Sequence, residues 1–233
     1  MPCACVDNKL HSILPLVRSI PRRLLHQLGN SKVTSAIHQQ ASSSLKISET
    51  ILKTAQLDVM KAWYQRVLGL PPFFEHQPPA GTKPLDLGGQ TRASDLRMCF
   101  FRLSTDYPYV QTIGIFEEPG TEASVKKTSP GLHHMQLMSS GLDELCTKFE
   151  ELRAAGMKPH RSADHGPMTS FYYRDPDGNN VEITAQNFPT LEAMIEFMAS
   201  DVFKANPSGT EIDPDKFVAE WRARSPGRTV GQL

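Results

Sequence analysis

The chain has 233 residues, with 25 basic (Lys and Arg) and 25 acidic (Asp and Glu) side chains, so its formal net charge is zero. This length allows one large domain or two small ones with a sizeable core. A balanced charge creates no field that attracts a polyanion, which argues against a nucleic-acid partner. No apolar run approaches the roughly 20 residues that cross a bilayer, so we expect no membrane insertion. Four cysteines with no paired spacing beyond one C-x-C favour a reduced, cytoplasmic compartment.

Residues 1–44 differ in composition from the rest of the chain. Asp7 is the only acidic residue before Glu49, whereas Lys, Arg and Ser are frequent. That composition is typical of an organellar transit peptide, which makes a mitochondrial location the alternative to the cytoplasm. An equally weighted interpretation is an extra helix, "LHSILPLVRSIPRRLLHQL", packed on the domain or exchanged with a partner subunit.

Two later segments have the periodicity of amphipathic helices. "QLDVMKAWYQRVLGL", from Gln56, repeats its apolar residues at steps of three and four, and Gly69 provides a C-terminal stop. "GLDELCTKFEELRAAG" follows the same pattern and ends at Gly156. Ser139 or Ser140 is expected to cap the start of this second helix.

The two helices belong to an internal repeat. A shift of 85 residues pairs Leu57 with Leu142 and Tyr64 with Phe149. A short strand precedes each helix, and three strand candidates follow each: "FFEH", "DLRMCFFRL" and "VQTIGIFEE", then "KPHRSA", "MTSFYYR" and "NVEITA". The sequence therefore predicts an α+β fold with two βαβββ modules.

The predicted domain boundaries follow from this repeat. The two modules are residues 45–118 and 131–185, which together form a domain over 45–185. An N-terminal extension covers 1–44. The remaining residues, 186–233, form a C-terminal tail that we interpret as two short amphipathic helices joined by a Pro/Gly turn.

The 85-residue shift also relates polar residues on the strands that precede the helices. It places Glu49 in register with His134, and a pseudo-twofold arrangement would bring such residues together across the axis. Strand alternation puts Met135 and Leu137 toward the helix and His134 on the opposite face.

The stretch "HGPMTSFYYRDPDGNNVEI", from His165, combines a histidine, two tyrosines, a turn and a carboxylate. Its residues "DPDG" favour a tight turn, so the flanking segments should pair as strands. Glu182 lies between Val181 and Ile183, which alternation assigns to the packed face. Periodicity alone favours a solvent-facing Glu182, since burying a carboxylate is costly without a cation or a hydrogen-bond donor.

The double βαβββ unit, "LHHMQL" and "DPDGNNVE" resemble the vicinal oxygen chelate superfamily over roughly residues 45–184. This superfamily includes glyoxalases, bleomycin- and fosfomycin-resistance proteins and extradiol ring-cleaving dioxygenases. The stretch from His165 is similar to the extradiol dioxygenase signature, and only Ala163, two residues before that histidine, departs from it. The positions that satisfy the signature are His165, Phe171, Tyr172, Asp175, Pro176, Gly178 and Glu182.

The resemblance implies a cleft-shaped mixed β-sheet and a metal-dependent extradiol-type dioxygenase that opens a catechol-like aromatic ring. His134 and Glu182 would be metal ligands, and His165 and Tyr172 would be catalytic residues beside the substrate. The implied cofactor is a divalent metal, Fe(II) first, with Mn, Zn or Mg as the other choices. The implied partners are a small-molecule substrate and O2, and relatives form the cleft within one chain or across a homodimer.

One departure from the family pattern concerns the first metal ligand. The family has a histidine where "SETILKT" has Glu49, which could be a third ligand, a base, or the mark of a lost metal site. The chain also has no histidine between His76 and His133, where many extradiol enzymes carry another. Two alternatives follow: a non-redox metal-dependent lyase, isomerase or cyclase of the same superfamily, and a metal-free small-molecule binding protein.

Overall fold

The computed structural model describes residues 45–118, 120–121 and 132–224. The predictions of a transit peptide or an extra helix in 1–44 fall outside the described residues. The described elements all belong to one compact unit, Ser43–Leu233. No helix in these described ranges combines the length and apolarity needed to span a bilayer.

The first module is a four-stranded mixed sheet with one helix. In chain order its elements are β1 (Glu49–Thr54), α1 (Leu57–Leu68), β2 (Phe74–His76), β3 (Arg97–Ser104) and β4 (Gln111–Glu117). The strand order is β1-β4-β3-β2. Strand β1 runs parallel to β4, and the other neighbours are antiparallel.

The second module repeats this connectivity. Its elements are β5 (Met135–Met138), α2 (Leu142–Ala154), β6 (Arg161–Asp164), β7 (Met168–Arg174) and β8 (Asn180–Gln186), in the strand order β5-β8-β7-β6. The predicted α+β fold with two βαβββ units is confirmed. The strands form two mixed sheets, one of four strands and one of five.

Each helix packs its apolar stripe against its own sheet. In α1, Met60 and Tyr64 are fully buried, and Gly69 ends the helix in the left-handed conformation at φ 71°. The predicted serine cap of α2 is wrong, because Gly141 occupies the N-cap position. The hydroxyl of Ser139 instead donates to the carbonyl of Thr184 on β8 (2.7 Å). The carboxylate of Glu144 accepts from the backbone N–H of Ser140 (2.6 Å) and satisfies that donor.

The tail contains more elements than the two helices that we predicted. It comprises α3 (Leu191–Ala199), α4 (Asp201–Ala205), β9 (Thr210–Glu211) and α5 (Pro214–Arg224). Ser200 separates α3 from α4, because its backbone is extended and its hydroxyl caps α4 by accepting from the N–H of Phe203. Strand β9 adds to the edge of β6 as the fifth strand of the second sheet.

The two modules are joined through the "DPDG" turn. The hydroxyl of Tyr64 on α1 donates to Asp175 Oδ2 (3.1 Å). Gln56 Nε2 donates to Asp177 Oδ1 (2.7 Å) and to the carbonyl of Pro176 (3.2 Å). Asp175 and Asp177 are buried, so the turn that connects β7 and β8 also holds the first helix.

Candidate functional site

Four of the five residues predicted for the site, all except Glu49, lie on or beside the face of the second sheet that is turned away from α2. Met135 and Leu137 of β5 pack into the apolar core, as strand alternation predicted. Register pairs Gln136 with Glu182 and Glu182 with Tyr172 across β5, β8 and β7. Alternation therefore places Glu182 and Tyr172 side by side on the same face, with His134 just before β5.

Glu182 is buried, with 2% of its surface exposed. The solvent-facing position that periodicity alone favoured is therefore wrong. Its Oε1 accepts a hydrogen bond from the Tyr172 hydroxyl (2.9 Å), and its Oε2 lies 3.2 Å from His134 Nε2. These two partners meet the need of a buried carboxylate for donors or a cation.

His165 extends this arrangement by one further residue. Its Nε2 lies 2.8 Å from the Tyr172 hydroxyl. Its Nδ1 lies 2.9 Å from the carbonyl oxygen of Ser208, which can only accept a hydrogen bond. A continuous series of contacts therefore runs from Ser208 through His165 and Tyr172 to Glu182 and His134.

The number of donors and acceptors limits which atoms of this series can carry a proton. Tyr172 has one hydroxyl proton and lies within hydrogen-bond distance of both His165 Nε2 and Glu182 Oε1. Every contact is satisfied when one further proton is held either on His165 Nε2 or on Glu182. The Tyr172 hydroxyl therefore connects two positions that can share one proton.

Tyr172 is held by charge and by packing. The guanidinium carbon of Arg161 lies 4.9 Å from the centroid of its ring, and the ring of His160 contacts it edge-on at 6.4 Å. Burial of the phenol, followed by its hydrogen bond to Glu182, raises the pKa of Tyr172 to about 12. The hydroxyl therefore keeps its proton at neutral pH and can serve as a donor.

The donor pair of His134 and Glu182 fits two positions of a divalent metal site. Two ligand atoms that bind one ion at right angles, each at about 2.1 Å, are about 3 Å apart. The 3.2 Å separation of His134 Nε2 and Glu182 Oε2 matches that spacing. A buried carboxylate beside an imidazole nitrogen is also a donor set that Fe, Mn and Zn accept.

Glu49 lies on the other sheet and is exposed. Its Oε1 accepts a hydrogen bond from Thr112 Oγ1 on β4 (3.0 Å). Over the described ranges, no three His, Cys, Asp or Glu side chains form a group that could hold a metal. The structure therefore brings together His134, Glu182, Tyr172 and His165, while Glu49 lies apart from them.

Sequence reasoning missed two residues at this site. Arg161 contacts the Tyr172 ring, and period-two alternation on β6 could have placed it on that face. Ser208 contributes through its backbone, which no residue-type pattern reveals. His133, the neighbour of His134 in the sequence, is exposed, and its Nδ1 lies 2.6 Å from His134 Nδ1.

Comparisons with known proteins concern the family of the chain. A family model described as Glyoxalase/Bleomycin resistance protein/Dioxygenase superfamily matches residues 46–183. The chain is 30% identical over 184 residues to biphenyl-2,3-diol 1,2-dioxygenase 3 of Rhodococcus globerulus, a match that covers 78% of this chain and 84% of that protein.

Two further similarities extend the comparison. Biphenyl-2,3-diol 1,2-dioxygenase 2 of the same organism is 27% identical over 169 residues, which covers 72% of this chain and 77% of that one. The solved glyoxylase/bleomycin resistance protein/dioxygenase domain from Frankia sp. EAN1pec superposes with a TM-score of 0.48 at 18% identity. That superposition covers 62% of this chain and 100% of the Frankia domain.

Proposed function

Because the chain belongs to the glyoxalase/bleomycin resistance protein/dioxygenase superfamily, we propose that it is a metal-dependent extradiol-type dioxygenase that opens a catechol-like aromatic ring. The observation that carries the proposal is the buried Glu182, whose carboxylate contacts both the Tyr172 hydroxyl and His134 Nε2. The Tyr172 hydroxyl in turn contacts His165 Nε2. Two curated relatives are named as dioxygenases of an aromatic diol, which supports the same substrate class.

In this proposal His134 and Glu182 hold the metal, Fe(II) first, with Mn, Zn or Mg as the alternatives. Glu49 occupies the position of the first histidine ligand in the resemblance, but it lies apart from His134 and Glu182 in the structure. The proposal therefore rests on His134 and Glu182, and Glu49 is proposed as a third ligand only in the metal-bound protein. When bound, the metal would lower the pKa of the diol and bring the diol and O2 into contact.

The protein residues then have separate tasks. His165 Nε2 accepts a hydroxyl proton from the diol, and the Ser208 carbonyl keeps the opposite ring nitrogen protonated. Tyr172, whose hydroxyl keeps its proton, would turn its one hydrogen bond from Glu182 to the diol oxygen that loses a proton once Glu182 binds the metal. Arg161 lies against the Tyr172 ring, and its positive charge would stabilise the phenolate of the diol.

The test compares Glu182→Gln with Glu192→Gln, a matched change at an exposed glutamate on α3. Protein purified without oxygen should contain close to stoichiometric iron in the wild type and in Glu192→Gln, and less than about a tenth of that in Glu182→Gln. Adding biphenyl-2,3-diol or catechol with air should give O2 uptake and a yellow product in the first two only. Iron and O2 uptake that survive in Glu182→Gln would contradict the proposal.

One observation favours a second candidate, a non-redox lyase, isomerase or cyclase. Glu49 carries a carboxylate where the resemblance expects an imidazole, and a donor set with two carboxylates is harder and suits Mn, Zn or Mg. The same protein would then turn over an enolisable oxygen-chelating substrate without O2. Wild-type protein that contains Zn or Mn in place of iron and is inactive toward both diols would favour this candidate.

A further inference from the structure

The C-terminal tail lies directly against the strand and loop that carry His165. Register pairs Ala163 with Glu211 and Asp164 with Thr210 across β6 and β9. The N–H of Ile212 donates to the carbonyl of Ser162 (3.0 Å). A strand from a region without sequence motifs therefore continues the sheet beside the site.

The backbone of the tail comes close to His165 at Gly209. This glycine has φ +75°, a conformation that side chains rarely adopt. A Cβ at this position would lie 2.6 Å from His165 Cα and would also meet the carbonyl oxygen of Asp164. Only a glycine allows the tail to come this near, and the preceding residue is the one that presents its carbonyl to His165.

A second contact fixes the other side of the same loop. The ring of Phe197 on α3 packs on Gly166, where a Cβ would lie 2.8 Å from its Cζ. Phe197 is itself held between Phe188 (ring centroids 5.2 Å apart) and Phe203 (6.0 Å). The residues on both sides of the His165 backbone are therefore held by the tail.

The carbonyl of Ser208 determines which imidazole nitrogen is protonated. Because a carbonyl oxygen only accepts, the 2.9 Å contact requires a proton on His165 Nδ1. In the neutral ring Nε2 is then the nitrogen with the free lone pair, and it lies 2.8 Å from the Tyr172 hydroxyl. The opposite tautomer would leave the Ser208 carbonyl without this donor and would present an N–H to the site.

We propose that residues 206–209 of the tail are a positioning element for His165, with the Ser208 carbonyl holding the proton on Nδ1 so that Nε2 is the basic nitrogen of the site. The catalytic consequence rests on the proposed dioxygenase function. The tautomer itself does not, and the two are tested separately.

The test is a long-range 1H–15N NMR spectrum of protein labelled at histidine, with the His165 signal assigned by its loss in His165→Gln. We expect wild-type His165 to carry its proton on Nδ1 in the neutral form. Gly209→Ala, which forces the tail off His165, should lose that preference. Gly156→Ala is the matched control, because its φ is +79° and a Cβ there has no neighbour within 4 Å. Ser208→Ala keeps the carbonyl and should leave the tautomer unchanged.

The kinetic readout follows the same variants with biphenyl-2,3-diol. The expected loss in Gly209→Ala is about 100-fold in kcat with KM little changed, as for a misplaced catalytic group. A neutral wild-type His165 with its proton on Nε2 overturns the proposal, even if Gly209→Ala does not fold. A folded Gly209→Ala with the wild-type tautomer and kcat also overturns it. A wild type with the expected tautomer and no activity on any diol refutes the dioxygenase function alone.

Discussion

Replacing Tyr172 with Phe tests the hydrogen-bonded series at its centre. The substitution removes one oxygen and keeps the ring that packs against Arg161. It breaks the contact with Glu182 Oε1 (2.9 Å) and the contact with His165 Nε2 (2.8 Å) together. Glu182 is only 2% exposed, so water cannot readily replace the lost donor.

The magnitude follows from the charge of the acceptor. A hydrogen bond to a charged group contributes about 1.5–3 kcal/mol, so we expect the free energy of unfolding to fall by about 2 kcal/mol. In a protein of this size such a loss lowers the Tm by about 4–8 °C. Tyr173→Phe is the matched control, because Tyr173 is the next residue on β7 and is buried in the core on the opposite face. Within the described ranges its hydroxyl makes no hydrogen bond, so this variant should change stability by less than about 0.5 kcal/mol.

The assay is urea unfolding of both variants after dialysis against EDTA, with thermal melts as a second readout. Metal removal matters, because an ion on Glu182 would compensate for part of the lost hydrogen bond. If Tyr172→Phe is as stable as Tyr173→Phe, the Tyr172 hydroxyl does not bridge Glu182 and His165.

Two further substitutions test the scaffold. Tyr64→Phe removes the hydroxyl that donates to Asp175 across the module junction. The free energy of unfolding should fall by only about 1 kcal/mol, because Asp175 keeps three donors: the N–H groups of Asp177 and Asn179 and the Asn179 side chain. A urea titration that shows no loss of stability would contradict this. Glu144→Gln tests the pH dependence of stability. The hydrogen bonds from Ser140 lower the pKa of Glu144 below 4.5 in the folded state. The ionised Glu144 carboxylate therefore stabilises the fold above pH 4.5, and this stabilisation is lost as the pH falls through the folded-state pKa. The difference in unfolding free energy between wild type and Glu144→Gln should therefore be larger at pH 7 than at pH 3, and an equal difference would rule out this contribution.

The parts of the fold that local sequence determines were the parts that could be predicted. Helix periodicity located α1 and α2, because their buried faces recur at steps of three and four. Turn chemistry in "DPDG" and period-two alternation located β7 and β8 and the face that carries Glu182. The 85-residue repeat predicted a second copy of one topology, and the strand orders of the two sheets confirm it.

What escaped prediction depends on contacts between distant segments. The two-residue β9 has no periodicity of its own and exists because β6 offers a free edge. Glu182 can be buried because Tyr172 and His134 contact its carboxylate, and strand alternation does not predict such contacts. The Ser208 carbonyl is a backbone atom, so the residue type at that position carries no information about it.

The pairing of β9 with β6 has a consequence for the solubility of the protein. A strand at the edge of a sheet presents unpaired N–H and C=O groups, onto which another chain can add. Strand β9 covers part of that edge in the second sheet, and within the described ranges the corresponding edge strand of the first sheet, β2, has no such cover. A chain shortened before residue 206 would expose β6 to intermolecular strand pairing. Aggregation would then accompany any loss of activity in tail deletions, which is why point substitutions are the better way to study this segment.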